Sequence, residues 1–140
     1  MCGIAGIALK AGAVLPDLRK RLESMAQAMI HRGPDDHGVF VAPGGQAGLA
    51  NRRLAIRDLS PAGHMPMGND DGSVWISYNG EIYNADALRA ELEALGWQFR
   101  SHSDTEVILR GYEAWGAQAV SRLRGMFAFA LLDYRPGAGP

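Results

Sequence analysis

Met1-Cys2-Gly3-Ile4-Ala5-Gly6-Ile7-Ala8-Leu9 opens the chain, and how this stretch is read decides the fold. It is apolar, too short to span a bilayer, and has no basic region ahead of it, so a membrane span or secretory leader is not expected. Ile4 to Leu9 reads instead as a first β-strand with a cysteine at its start. After the Ala11-Gly12 break, Pro16-Asp17 opens a helical pattern in which Leu18, Leu22, Met25 and Met29 mark the core face. His31-Arg32-Gly33-Pro34-Asp35-Asp36 ends it. Gly38 to Ala42 and Gly48 to Ala50, flanking Pro43-Gly44-Gly45, read as a β-hairpin.

Asn69-Asp70-Asp71-Gly72 signals a turn, and Val74 to Tyr78 has the composition of a buried strand that stops at Asn79-Gly80. Asn84 is placed to cap a helix whose Leu88, Leu92 and Leu95 face inward and whose end is marked by Gly96. Trp97 to Arg100 reads as a short strand. Ser103-Asp104-Thr105-Glu106 has capping-box spacing and starts a helix presenting Ile108, Leu109, Tyr112 and Trp115 before Gly116. Met126 to Leu132 has the near-continuous apolarity of a central strand buried on both faces. Strands and helices alternate with hairpin signals and without regular βαβ units, so an α+β fold of antiparallel sheet with helices on its faces is expected.

The chain has 140 residues, 47% apolar and 21% charged, the size and composition of one globular domain able to bury its own core. Its 14 basic and 15 acidic side chains nearly balance, giving no excess cation to hold nucleic acid or an anionic membrane. A single cysteine forms no internal disulfide, which favours a cytoplasmic location. Histidines 31, 37, 64 and 102 have no metal-ligand spacing, so no metal site is expected. No glycine-rich nucleotide-binding motif occurs, and no cofactor is expected in this chain.

Cys2 is the most informative position. Removal of Met1 would leave a thiol and a free α-amine on one residue, a nucleophile with its own base; the alternative is a small apolar residue at a strand start. Asn79 and the Gly80 N–H offer oxyanion donors, although Asn-Gly is also an ordinary turn dipeptide. Arg53 suits a carboxylate or lies in solvent. Asp104 suits an ammonium, but the helix dipole alone favours a carboxylate there, and locally the cap reading wins.

Taken together, these segments resemble the glutaminase domain of glutamine-hydrolysing asparagine synthetases, which are class II glutamine amidotransferases. The similarity runs through Met1-Cys2-Gly3-Ile4-Ala5-Gly6, His31-Arg32-Gly33-Pro34-Asp35, Arg53-Leu54-Ala55-Ile56 with Asp58-Leu59-Ser60, and Gly63-His64-Met65-Pro66-Met67. It continues in Tyr78-Asn79-Gly80-Glu81-Ile82-Tyr83-Asn84, Ser103-Asp104-Thr105-Glu106-Val107-Ile108 and Gly125-Met126-Phe127-Ala128-Phe129-Ala130. The resemblance implies an N-terminal-nucleophile αββα sandwich with the amidotransferase domain at 1–135 and a tail at 136–140. It implies that Cys2 attacks glutamine, Asn79 and Gly80 hold the oxyanion, Arg53 binds the α-carboxylate and Asp104 the α-ammonium. Glu81 would orient that end, with Ile56 and Arg57 lining the pocket. L-glutamine and an ATP-using synthetase domain, the latter absent here with its ATP and Mg, are the implied partners; an oligomer is left open. A strand partner for 126–132 is likewise expected outside these residues. The sequence departs from the family's usual residues at Asn51, Ala55 and Met65, and Arg57 stands where an apolar residue is usual.

Overall fold

A computed structural model describes residues 1–137, so residues 138–140 of the expected tail lie outside the described residues. The elements are β1 (Gly3–Ala8), α1 (Leu18–Ala28), β2 (Asp36–Val41), β3 (Ala47–Arg53), β4 (Met67–Gly68), β5 (Val74–Ile82), α2 (Ala85–Ala94), α3 (Asp104–Trp115), α4 (Ala119–Arg122) and β6 (Gly125–Asp133). Two antiparallel three-stranded sheets form, ordered β1-β3-β2 and β4-β5-β6. Helix α1 covers the first sheet, α3 packs on β5 of the second and is flanked by α2, and β1 and β3 face β5 and β6. The four layers are therefore α, β, β and α.

Each helix-covered face has its own apolar cluster. Leu18, Leu22 and Ala26 of α1 meet Ala50 and partly buried Ala5, Ile7, Val39 and Val41. On the other side, Val74, Ile76, Tyr78 and Ile82 of β5 pack with Leu88 and Leu92 of α2 and Val107, Ile108 and Leu109 of α3. Leu92 has no exposed surface; truncating such a side chain to alanine costs about 2–5 kcal/mol. Between the sheets the contact includes a fully buried polar pair. Asn51 Nδ2 donates to Ser77 Oγ at 3.1 Å and to the Tyr78 carbonyl at 3.2 Å, while Ser77 Oγ donates to the Ala50 carbonyl at 2.9 Å. These directional bonds fix how the second half of β3 sits against the middle of β5.

Several expectations are corrected. Strand β5 does not stop at Asn79-Gly80 but runs to Ile82, because β6 pairs with it over its whole length, with Asn79 opposite Ala128 and Gly80 opposite Phe127. Among the described residues β6 pairs with β5 alone, so it is an edge strand; Phe127, Phe129 and Leu131 pack on the core while Met126 is 71% exposed. Residues 97–100 form no strand. Trp97 and Phe99 pack on the core, and the Arg100 N–H donates to the Glu106 carboxylate at 3.0 Å. Met25 and Leu95 are exposed: the core face of α1 is a narrow row of Leu18, Leu22 and Ala26, and Leu95 lies at the C-cap, past the last turn of α2.

Two caps also differ from the sequence reading. Asn84 precedes α2 without capping it, because its side chain binds the Arg122 carbonyl and the Arg124 N–H. At α3, Ser103 Oγ accepts from the Glu106 N–H as expected. The Glu106 carboxylate, instead of returning to Ser103, accepts from the Arg100 and Ser101 N–H groups and Ser101 Oγ. The loop before α3 thereby becomes rigid.

Candidate active site

Cys2 lies just ahead of β1, half-buried, with its Sγ 3.4 Å from the Leu54 amide N–H, which donates to it. Arg32 Nε donates to the Cys2 carbonyl at 3.0 Å. The turn after α1 thus holds one side of the cysteine and the segment after β3 the other. Gly33 allows this approach, since a Cβ there would stand 2.4 Å from the Arg52 carbonyl.

Asn79, Gly80 and Glu81 follow one another on β5, Arg53 ends β3, Ile56 and Arg57 lie in the connection after it, and Asp104 is the first residue of α3. Together with Cys2, these eight sequence-derived candidates all line one cavity of about 190 Å³. A larger groove of about 570 Å³ between α1 and β2 contains none of them.

Gly80 is required by its neighbours. Its φ is 155°, and a Cβ would stand 2.3 Å from the Met126 carbonyl and 2.6 Å from Phe127 Cα. The Asn79-Gly80 pair is therefore a strand segment pressed against β6 rather than a turn, and it leaves the Asn79 amide at the cavity wall.

Arg53 is buried, which settles the choice against a solvated arginine. Its guanidinium donates to the carbonyls of Asp58 and Ser60, the latter at 3.1 Å, and folds the 54–60 segment around itself. Asp58 braces the same segment: it accepts from Ser60 N–H at 2.8 Å, Ser60 Oγ at 2.6 Å and the His102 N–H at 2.8 Å. The Ser60 hydroxyl bond, aided by both N–H groups and the Arg53 charge, outweighs burial and lowers the Asp58 pKa. Asp35 Oδ2 takes the Ala55 N–H at 2.9 Å.

The Asp104 carboxylate is buried and accepts two bonds on Oδ2, from the Tyr78 hydroxyl at 2.7 Å and the Ile82 N–H at 3.0 Å. Burial, reinforced by the Asp104 carboxylate, pushes the Tyr78 phenol far above its ordinary value, so it remains an O–H donor. Asp104 is thus both the opening residue of a helix and a cavity-lining charge. Arg57 does not send its cation into the cavity: Nη1 donates to the Ile82 carbonyl at 3.3 Å and Nη2 to Asp86 Oδ1 at 3.1 Å.

Sequence reasoning missed Arg32, Tyr78, Asp58 and Asn51 as supports of this wall. Each acts through a partner 26 to 44 positions away or through a backbone atom, which no local spacing encodes, although all four lie inside or beside the quoted motifs. What the arrangement can supply is a thiol, amide and backbone donors on the opposing strand, and one buried anion and one buried cation to hold a zwitterion.

The comparisons agree with this chemistry. Residues 1–138 match a family described as the glutamine amidotransferase domain. Asparagine synthetase (glutamine-hydrolyzing) 1 of Bacillus subtilis strain 168 is 43% identical over 132 residues, 94% of this chain and 20% of that protein. Asparagine synthetase B (glutamine-hydrolyzing) of Escherichia coli K12 is 43% identical over 134 residues, 95% of this chain and 23% of that protein. The chain thus spans about a fifth of the length of these curated relatives. Glutamine phosphoribosylpyrophosphate amidotransferase from B. subtilis, solved with ADP and GMP, shares the fold with a TM-score of 0.74 at 20% identity, over 93% of this chain and 35% of its own. That structural likeness bears out the expected α+β fold of two antiparallel sheets between helices. With the match running through nearly every residue and the candidate side chains gathered at one cavity, this chain belongs to the glutamine amidotransferase domain family.

Proposed function

We propose that this domain releases ammonia from L-glutamine through Cys2 and delivers it to an ATP-dependent synthetase domain of the same parent protein. The observation that carries this reading is the convergence of Cys2, Asn79, Gly80, Arg53 and Asp104 on a single cavity. Removal of Met1, which also lines that cavity, frees the Cys2 α-amine to take the thiol proton. Sγ then bonds to the side-chain amide carbon of glutamine. The carbonyl oxygen becomes an oxyanion held by the Asn79 amide and the Gly80 N–H, where loss of one donor typically costs about 10²–10³ in rate. As the C–N bond breaks, the α-amine returns its proton to the leaving nitrogen, giving ammonia and a γ-glutamyl thioester. Water adds to the thioester, releasing glutamate and restoring the thiol.

Arg53 binds the substrate α-carboxylate, Asp104 its α-ammonium, and Glu81 orients that end, with Ile56 and the Arg57 backbone completing the wall. The acceptor of the ammonia is the carboxylate substrate of a synthetase like those of the relatives, and a cytoplasmic location suits that chemistry.

The test is ammonia release from glutamine by protein whose intact mass shows Met1 removed. Cys2→Ala should abolish it; release at the parent rate would overturn the proposal. Saturable glutamine binding by the processed parent with no turnover would instead make this a glutamine-holding module.

A further inference from the structure

Asp104 is held in an unusual way for a group that is to meet a charged ligand. It is 7% exposed, and both protein donors that reach it, the Tyr78 hydroxyl at 2.7 Å and the Ile82 N–H at 3.0 Å, end on the same oxygen, Oδ2. No bond from a described residue ends on Oδ1. A backbone N–H alone fixes one point and leaves the carboxylate free to rotate about its χ2 torsion, which is broad for aspartate. A second donor on that same oxygen, arriving from a side chain locked in the core, removes that freedom.

Tyr78 is such a donor. It is 3% exposed and packed in the second apolar cluster, and its carbonyl accepts from Asn51 Nδ2 at 3.2 Å. The next residue along β5 is Asn79. One rigid strand segment thus carries both the group that grips Asp104 and the amide at the cavity wall.

Resting on the glutamine-hydrolysis reading above, we propose that Tyr78 is a positioning residue for substrate recognition: its O–H holds Asp104 Oδ2 so that Oδ1 faces the cavity and receives the substrate α-ammonium. In this role Tyr78 acts through Asp104 rather than on the reacting amide, although it lines the cavity and Cys2 packs against its cluster. It selects amino-acid amides over amides that lack the α-ammonium, and it does so through the orientation of Asp104.

The experiment compares L-glutamine with 4-carbamoylbutanoate, the same side-chain amide and carboxylate without the amine, in parent and Tyr78→Phe protein with Met1 removed. Phenylalanine keeps the ring in its apolar site and deletes only the hydroxyl. The expected result is a KM for glutamine raised about tenfold, in line with loss of a hydrogen bond to a charged group, with kcat within about twofold. The KM for 4-carbamoylbutanoate should stay unchanged. Because KM does not depend on the fraction of chains folded, a partly unfolded variant still gives the answer. In an Asp104→Asn background the Tyr78→Phe change should add nothing to the glutamine KM. Equal weakening of both substrates, or an unchanged glutamine KM, overturns the proposal while the hydrolysis reading stands. A parent that binds neither substrate overturns both.

Discussion

The His102 N–H donates to Asp58 Oδ2 at 2.8 Å, and this bond joins the segment wrapped around Arg53 to the loop that leads into Asp104. The two groups expected to hold opposite charges of one zwitterion are therefore tied through a single carboxylate. Asp58 Oδ1 secures the same segment through Ser60 N–H and Oγ.

That carboxylate makes the wall sensitive to acid. The folded pKa of Asp58 lies below its unfolded value, so the unfolded chain takes up the proton first as pH falls. Its contribution is complete above the ordinary carboxylate range, near pH 4, and is lost as pH drops through the folded value. Thermal melts between pH 3 and 7 should show a smaller acid-induced drop in Tm for Asp58→Asn than for the parent, with the variant less stable at pH 7.

Arg53 has a structural duty besides any ligand. Arg53→Met leaves the Asp58 and Ser60 carbonyls without their donor and is expected to cost about 1–3 kcal/mol. Arg53→Lys should recover only part of that, since one ammonium does not reproduce a planar fork. Denaturant unfolding of the three proteins measures the order.

Gly80→Ala should be among the most damaging single-methyl changes. The new Cβ meets β6 backbone at 2.3 and 2.6 Å and the φ of 155° suits glycine, so a loss of at least about 2 kcal/mol is expected. A melt of the alanine variant within a degree of the parent would refute the assignment of close strand approach.

Arg57, the polar departure from the resemblance, should matter little. Its partner Asp86 has an 88% exposed side chain, and exposed pairs are worth about 0–1 kcal/mol. Arg57→Met is expected to shift stability by less than that and glutamine KM by less than about threefold, read by denaturant titration and ammonia release.

Local chemistry alone determined much of this protein. The strand at the cysteine, the helices of α1, α2 and α3 and the hairpin glycines follow from spacing and residue type, and the list of residues able to handle an amide and a zwitterion follows from the resemblance carried by the ordered motifs. What only the tertiary structure decided is which of two readings each ambiguous residue takes. Asn79-Gly80 is strand and not turn because β6 lies against it; Asp104 is a held anion because Tyr78 reaches it from 26 residues away; Arg53 is buried because its own downstream loop folds over it. Glu106 gave up half of its expected cap for the N–H groups of residues 100 and 101. For Asn79-Gly80 and Asp104 the deciding partner lies 26 or more residues away, and for Arg53 and Glu106 it is a loop five to seven residues off whose path the local pattern does not give; a buried polar group takes the partner that satisfies it.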